Sequence, residues 1–182
     1  GVYESFGTRP GITLLHCMAH ARRKFFDALG NDKAQAEQAL QLFGQLYDTE
    51  RLIKEQGLKG DAIIELRQKE AVPVLAALQQ WMNEQVNSGL LKKGPLASAI
   101  GYSLSRWDKL CLYTTDAILQ IDNNPVENAI RPVAIGRKNY LFAGSHQAAQ
   151  RAAMIYSLLA TCRAHQINSY EWLKDVLERM HL

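Results

Sequence analysis

The sequence predicts a mainly α protein with a few short strands and an all-helical middle. Apolar residues recur at three- and four-residue spacing from Asp32 to about Leu110, with no alternating β-branched run among them. Two short apolar runs, residues 12–17 (ITLLHC) and 117–121 (AILQI), stand on either side of that stretch. A content of 47% hydrophobic and 21% charged residues over 182 positions is that of a globular chain able to bury a core of ordinary size.

Taken in order, residues 12–17 are too short for a helix and read as a buried strand behind Gly11. From Met18 the residues favour helix, with Ala21, Phe25 and Ala28 on one side, until Gly30 and Asn31 stop it. Asp32 is placed to cap the next helix, whose stripe is Ala36, Ala39, Leu40, Phe43, Leu46 and Tyr47. Helical stretches over 61–70 and 73–86 are separated or kinked at Pro73, since proline removes an intrahelical bond. A further helix runs from Pro95 to about Leu110. After the strand-like 117–121, Asn124, Pro125 and Glu127 spell a capping box at a helix start. Residues 139–142, beyond Pro132, form a brief extended piece, Ser145 caps a long helix, and Asn168 with Glu171 makes a second capping box before the last one.

Charge is partitioned along the chain. The net +3 conceals an excess of −4 over residues 27–90 and of +5 over residues 128–170, where Arg131, Arg137, Lys138, Arg151 and Arg163 stand without a single acid. The two ends therefore share a basic surface suited to phosphates, with an ordinary small basic patch as the alternative. Three widely spaced cysteines exclude a disulfide framework and suggest a cytoplasmic setting, and no apolar run is long enough to span a bilayer. Glycine-rich phosphate loops, Ser-His-Asp ordering and dinucleotide fingerprints are missing from the sequence, so no small-molecule substrate is expected.

The most informative segment is 121–142, IDNNPVENAIRPVAIGRKNYLF. It resembles the end of the catalytic domain in the insertion-sequence-sixty-six family of DDE transposases. The stretch 16–26 (HCMAHARRKFF), Ala143-Gly-Ser, Ile155-Tyr-Ser and the final Trp-Leu-x-Asp-Val-Leu resemble other parts of that family in the same order. The resemblance implies a partial RNase H-like α/β core interrupted by the helical insertion. Its parts would be residues 1–31 (early core), 32–112 (insertion), 113–144 (strand and helix with the last acidic residue) and 145–182 (C-terminal helices). It further implies DNA cleavage and joining with Mg²⁺ or Mn²⁺, Glu127 as catalytic residue and metal ligand, and His20 as a donor near the scissile phosphate. DNA contacts would come from Arg131, Arg137, Lys138, Arg22, Arg23 and Asn124.

One departure from the family pattern matters. The pattern places two aspartates before the position of Ile12, and here only Glu4 precedes it, off the motif. The chain thus resembles the C-terminal part of a catalytic region, a piece of something longer, that holds no metal tightly and is inactive alone. Missing strands would leave apolar surface uncovered and favour self-association. Each reading has a plainer counterpart. Glu127 could serve only as a cap, Arg22 and Arg23 could be solvated, and Cys17 and Cys162 are more simply buried thiols than zinc ligands with His20 and His165. The rival to the transposase reading is a non-catalytic helical DNA-binding or assembly module.

Overall fold

A computed structural model describes residues 9–89, 93–140 and 142–180, which are mainly helical and contain no strand. The chain divides into two compact units, Gly1–Asn123 and Asn124–Leu182.

In the first unit, α1 (Met18–Asp27) packs on α2 (Lys33–Glu55) and on α5 (Pro95–Leu104), and α2 packs on α4 (Val72–Asn87). Each helix buries the stripe its spacing announces. Met18, Ala21, Phe25 and Ala28 are fully buried, as are Ala36, Ala39, Phe43 and Leu46 of α2, and they meet Leu78 and Met82 of α4. The Phe25 ring lies 5.4 Å from that of Phe43 and 6.2 Å from that of Trp81, in tilted contact. Each large side chain buried here contributes roughly 1.5–3 kcal/mol, while the alanines let the helix axes approach. Asp32 does precede α2, but its side chain makes no capping bond.

The interruption expected at Pro73 takes an unusual form. α3 (Asp61–Leu66) runs into a π-helical turn, Arg67–Ala71, and then directly into α4, with Pro73 in its first turn. The wider turn absorbs one residue ahead of the proline, so the chain stays helical. Beyond α5 the backbone breaks before α6 (Trp107–Cys111), which tightens into a 3₁₀ turn, Leu112–Thr114. All three thiols are free, and burial, helped by Asp108, pushes Cys111 up to about 11.

The predicted strands do not form among the described residues, and the cause is local. Asp116 draws in the next amides: its Oδ1 accepts from Ile118 N–H at 2.9 Å and its carbonyl from Leu119 N–H at 3.3 Å, folding the start of 117–121 into a turn. Residues 12–16 run without a ladder. The two apolar runs still converge, for the Met18 N–H donates to the Ile121 carbonyl at 3.0 Å and the His16 N–H to that of Lys109 at 3.2 Å. A sheet needs a repeating exchange of such bonds. The expected extended piece at 139–142 is also replaced, since Asn139 and Tyr140 belong to a helix that continues through Pro132, and Leu141 lies outside the described residues. The RNase H-like sheet is therefore not seen in the described residues.

Arg67, in the π turn, is 2% exposed. Its Nε and Nη2 grip both carboxylate oxygens of Glu50 at 2.8 and 2.7 Å, and its Nη1 donates to the carbonyls of Tyr113 and Asp116. The Tyr113 ring lies beneath the guanidinium, 5.2 Å away. Its hydroxyl, by contrast, is buried with no hydrogen-bond partner among the described residues. Such an orphan costs roughly 1–3 kcal/mol. Tyr113→Phe keeps the ring and removes the orphan, so thermal unfolding is expected at a midpoint higher by a few degrees. Burial, then Glu50, also holds the Tyr113 phenol well above its ordinary range, so wild type loses more stability in strong alkali than Tyr113→Phe does.

The second unit comprises α7 (Asn124–Tyr140), α8 (His146–Ala164) and α9 (Ser169–Arg179). Two of the caps read in the sequence are made, Ser145 Oγ accepting from Ala148 N–H at 3.1 Å and Asn168 Oδ1 from Tyr170 N–H at 3.0 Å.

Candidate functional site

Helix α7 carries most of the residues singled out in the sequence. Asn124 is its first residue, one place inside the expected cap. Glu127 lies in the first turn and Arg137 and Lys138 in the last, where the helix dipole favours a carboxylate and cations respectively. All of these side chains, and that of Arg131, are exposed.

Their distribution around the helix separates them. At about 100° per residue, Glu127, Arg131 and Lys138 fall within about 40° of one another, with Asn124 at the edge of the same stripe. Arg137 is turned away. It lines a cavity of about 470 Å³ between α7 and α8 with Ile130, Val133, Tyr140, Ala153 and Tyr156. Tyr156 and Tyr140 are hydrogen-bonded there, which raises the Tyr156 phenol above its usual range. Gly136 lets the Tyr156 ring lie against α7, because a Cβ at that position would collide with its hydroxyl.

The other candidates stand on α1, in the first unit. His20, Arg22 and Arg23 are exposed. Lys24 is instead drawn onto the Tyr102 ring of α5, 4.8 Å from its centroid, and Arg106 stacks on the same ring at 4.4 Å.

The acids near Glu127 in sequence have structural partners. Asp116 holds the turn described above, and Asp122 accepts from the Tyr47 hydroxyl at 3.3 Å. Burial, then Asp122, raises the Tyr47 phenol far above its ordinary value. Among the described residues no three His, Cys, Asp or Glu side chains gather as metal ligands. The carboxylate of Glu127 alone does not make a two-metal centre.

Comparison with known proteins places this helix in context. Residues 1–151 match the transposase IS66 family, and residues 157–182 match the IS66 C-terminal element. The chain belongs to the IS66 family of transposases. Its relatives include two uncharacterized proteins of Sinorhizobium fredii. One, y4hP, is 32% identical over 182 residues, covering 93% of this chain and 32% of its own length. The other, y4qI, is 34% identical over 175 residues, covering 96% and 32%. The chain thus spans about a third of the length of the curated relatives it matches. No solved structure matches it. Within the IS66 match, the helix bearing Glu127, Arg131 and Lys138 follows directly on the segment that Tyr47 and Arg67 hold. The sequence shows Tyr47 only as part of the α2 stripe and does not single out Arg67, because the partners of both lie 17 to 75 positions away. No helix among the described residues is long and apolar enough to cross a membrane.

Proposed function

We propose that this chain is the C-terminal part of the catalytic region of a DDE transposase that cleaves and joins DNA strands by two-metal phosphoryl transfer. Glu127 is the last acidic residue of its triad. The observation that carries the reading is the exposed carboxylate of Glu127 on the first turn of α7, sharing a face with Arg131 and Lys138, in a chain that matches the IS66 family nearly end to end. Arg131 and Lys138 neutralise DNA phosphates beside Glu127, and Asn124 contacts the backbone at the helix start. Arg137, Arg22 and Arg23 add to the basic surface, and His20 donates to the phosphate region. Mg²⁺ or Mn²⁺ belongs to the intact enzyme, whose remaining carboxylates and RNase H-like strands are supplied outside these residues. Copies of the chain associate through apolar side chains left exposed on α7 to α9, among them Val126, Ile130, Leu173 and Leu177.

Two measurements test this. The purified chain with Mg²⁺ or Mn²⁺ is expected to leave DNA uncut, and metal-dependent cutting that disappears with Glu127→Gln would contradict its inactivity. The chain is also expected to bind duplex DNA without sequence preference, with an affinity that falls steeply as salt rises. Replacing Arg131, Arg137 and Lys138 by alanine together should lower the slope of log affinity against log salt by about 2, at roughly 0.9 for each of the two phosphate contacts made by Arg131 and Lys138. Replacing Lys33, Lys54 and Lys59 serves as the control. Lys33 already faces Glu37 at 3.8 Å, and all three belong to the acid-rich middle. Equal effects from the two sets would mean diffuse attraction rather than a DNA-facing helix.

A further inference from the structure

We infer that the first unit carries a DNA-backbone contact of its own, a basic stripe where α1 meets α5 and α6, made by Lys24, Arg106 and Lys109 with His20 among them. The inference rests on the reading above only in taking DNA as the partner, and it needs neither Glu127 nor α7. Two contacts fix the stripe from both ends. Just ahead of α1 the His16 N–H donates to the Lys109 carbonyl at 3.2 Å, which brings α6 beside the entry to that helix. Further along, Lys24 Nζ lies 4.8 Å from the Tyr102 ring centroid and the Arg106 guanidinium 4.4 Å from the same centroid. Residues 16 and 24 thus meet 109 and 102 respectively, so α1 runs antiparallel to residues 102–109. His20, one turn before Lys24 and about 40° from it around α1, is exposed between the two contacts, and Lys109 is exposed as well. From Met18 to Lys24 α1 advances about 9 Å, which matches the axial length of about three base pairs of duplex.

Packing alone does not account for this arrangement. A single cation on Tyr102 would gain the attraction of the ring face, but two are brought there, and like charges converging on one ring repel each other. An anion between them relieves that repulsion and is met by both. The guanidinium is held in place for it, since Arg106 Nη1 donates to Ser105 Oγ at 2.9 Å and to the Tyr102 carbonyl at 3.5 Å while the ring supports its plane. A fork of N–H donors fixed in this way suits phosphate oxygens, and the Lys24 and Lys109 ammoniums supply point charge along the same line. The acids nearest in sequence border the stripe rather than divide it. Asp27 is the last residue of α1, past Lys24, and Asp108 falls about 100° round from Lys109, on the side of the Cys111 thiol on which it acts.

The test follows binding of the purified chain to a fluorescein-labelled duplex of arbitrary sequence across a salt series. Lys24→Gln, Arg106→Gln and Lys109→Gln together are expected to lower the slope of log affinity against log salt by about 2.7, at roughly 0.9 for each of three phosphate contacts. Lys33→Gln, Lys54→Gln and Lys59→Gln together should leave it unchanged, and equal losses from the two sets overturn the inference. Added to the alanine replacements on α7, the stripe variant should remove a further slope of the same size. A slope that falls with the α7 set and not with the stripe overturns the inference and leaves the α7 reading standing, whereas the reverse supports the stripe and removes α7. A second readout needs no variant. In the wild-type chain, acetylation read lysine by lysine should slow about fivefold or more at Lys24 and Lys109 when duplex is saturating, and stay as it was at Lys54 and Lys59. Unprotected Lys24 and Lys109 overturn the inference even where the triple variant binds more weakly, because losing three positive charges anywhere lowers affinity for a polyanion. Should the triple variant fail to fold, this protection decides.

Discussion

Glu127→Gln in the full-length transposase is expected to lower strand cleavage by about a thousandfold or more while leaving DNA affinity within about threefold. Glutamine preserves the size and helical placement of the side chain and removes only its charge. If that charge helps to stabilise the reacting phosphoryl group, its loss forfeits several kcal/mol on the barrier, at 1.36 kcal/mol per factor of ten. The competing role is a carboxylate at the start of α7, favoured by the helix dipole and worth about 0.3–1 kcal/mol at an exposed site. The two roles differ in what they predict. A dipole or capping role shifts the unfolding midpoint of the second unit by a few degrees and leaves cleavage untouched, whereas a catalytic role does the reverse. Single-turnover cleavage and a thermal melt on the same preparations separate them.

Much of the helical architecture is readable from residues because its determinants are local. Ala36, Ala39, Phe43 and Leu46 announce one buried face of α2 by spacing alone, and Ser145 and Asn168 announce the starts of α8 and α9 by chemistry that acts within three residues. The strands are misread for a reason of the same scale. Residues 117–121 have strand composition, yet Asp116 captures the backbone amides of Ile118 and Leu119, a local competition that composition does not reveal. Pro132 misleads in the opposite sense, since it marks a stop and α7 passes through it to Tyr140. The face shared by Glu127, Arg131 and Lys138 follows from their spacing once α7 is known to be unbroken. Arg137 is a neighbour in sequence but belongs to the cavity against α8. The hold on residues 113–122 was beyond reach, for Arg67 joins Glu50, Tyr113 and Asp116 across 17, 46 and 49 positions.

The same long-range group gives the largest stability effect expected in the first unit. Arg67→Met alone should destabilise it by about 3–5 kcal/mol, because Glu50 is left without its bidentate partner and the buried carbonyl of Tyr113 without a donor. Glu50 is 16% exposed in its side chain, so water reaches it only in part, and the penalty belongs near the lower end of that range. For a unit of this size the midpoint falls by roughly 10–15 °C. Adding Glu50→Leu removes the stranded carboxylate, and the double variant should recover more than half of the loss. Two single losses that sum to well above the loss of the pair constitute the coupling expected of one network. Calorimetric melts of wild type, both singles and the double measure it directly. Additive losses would show that each side chain acts through its own packing rather than through the pair.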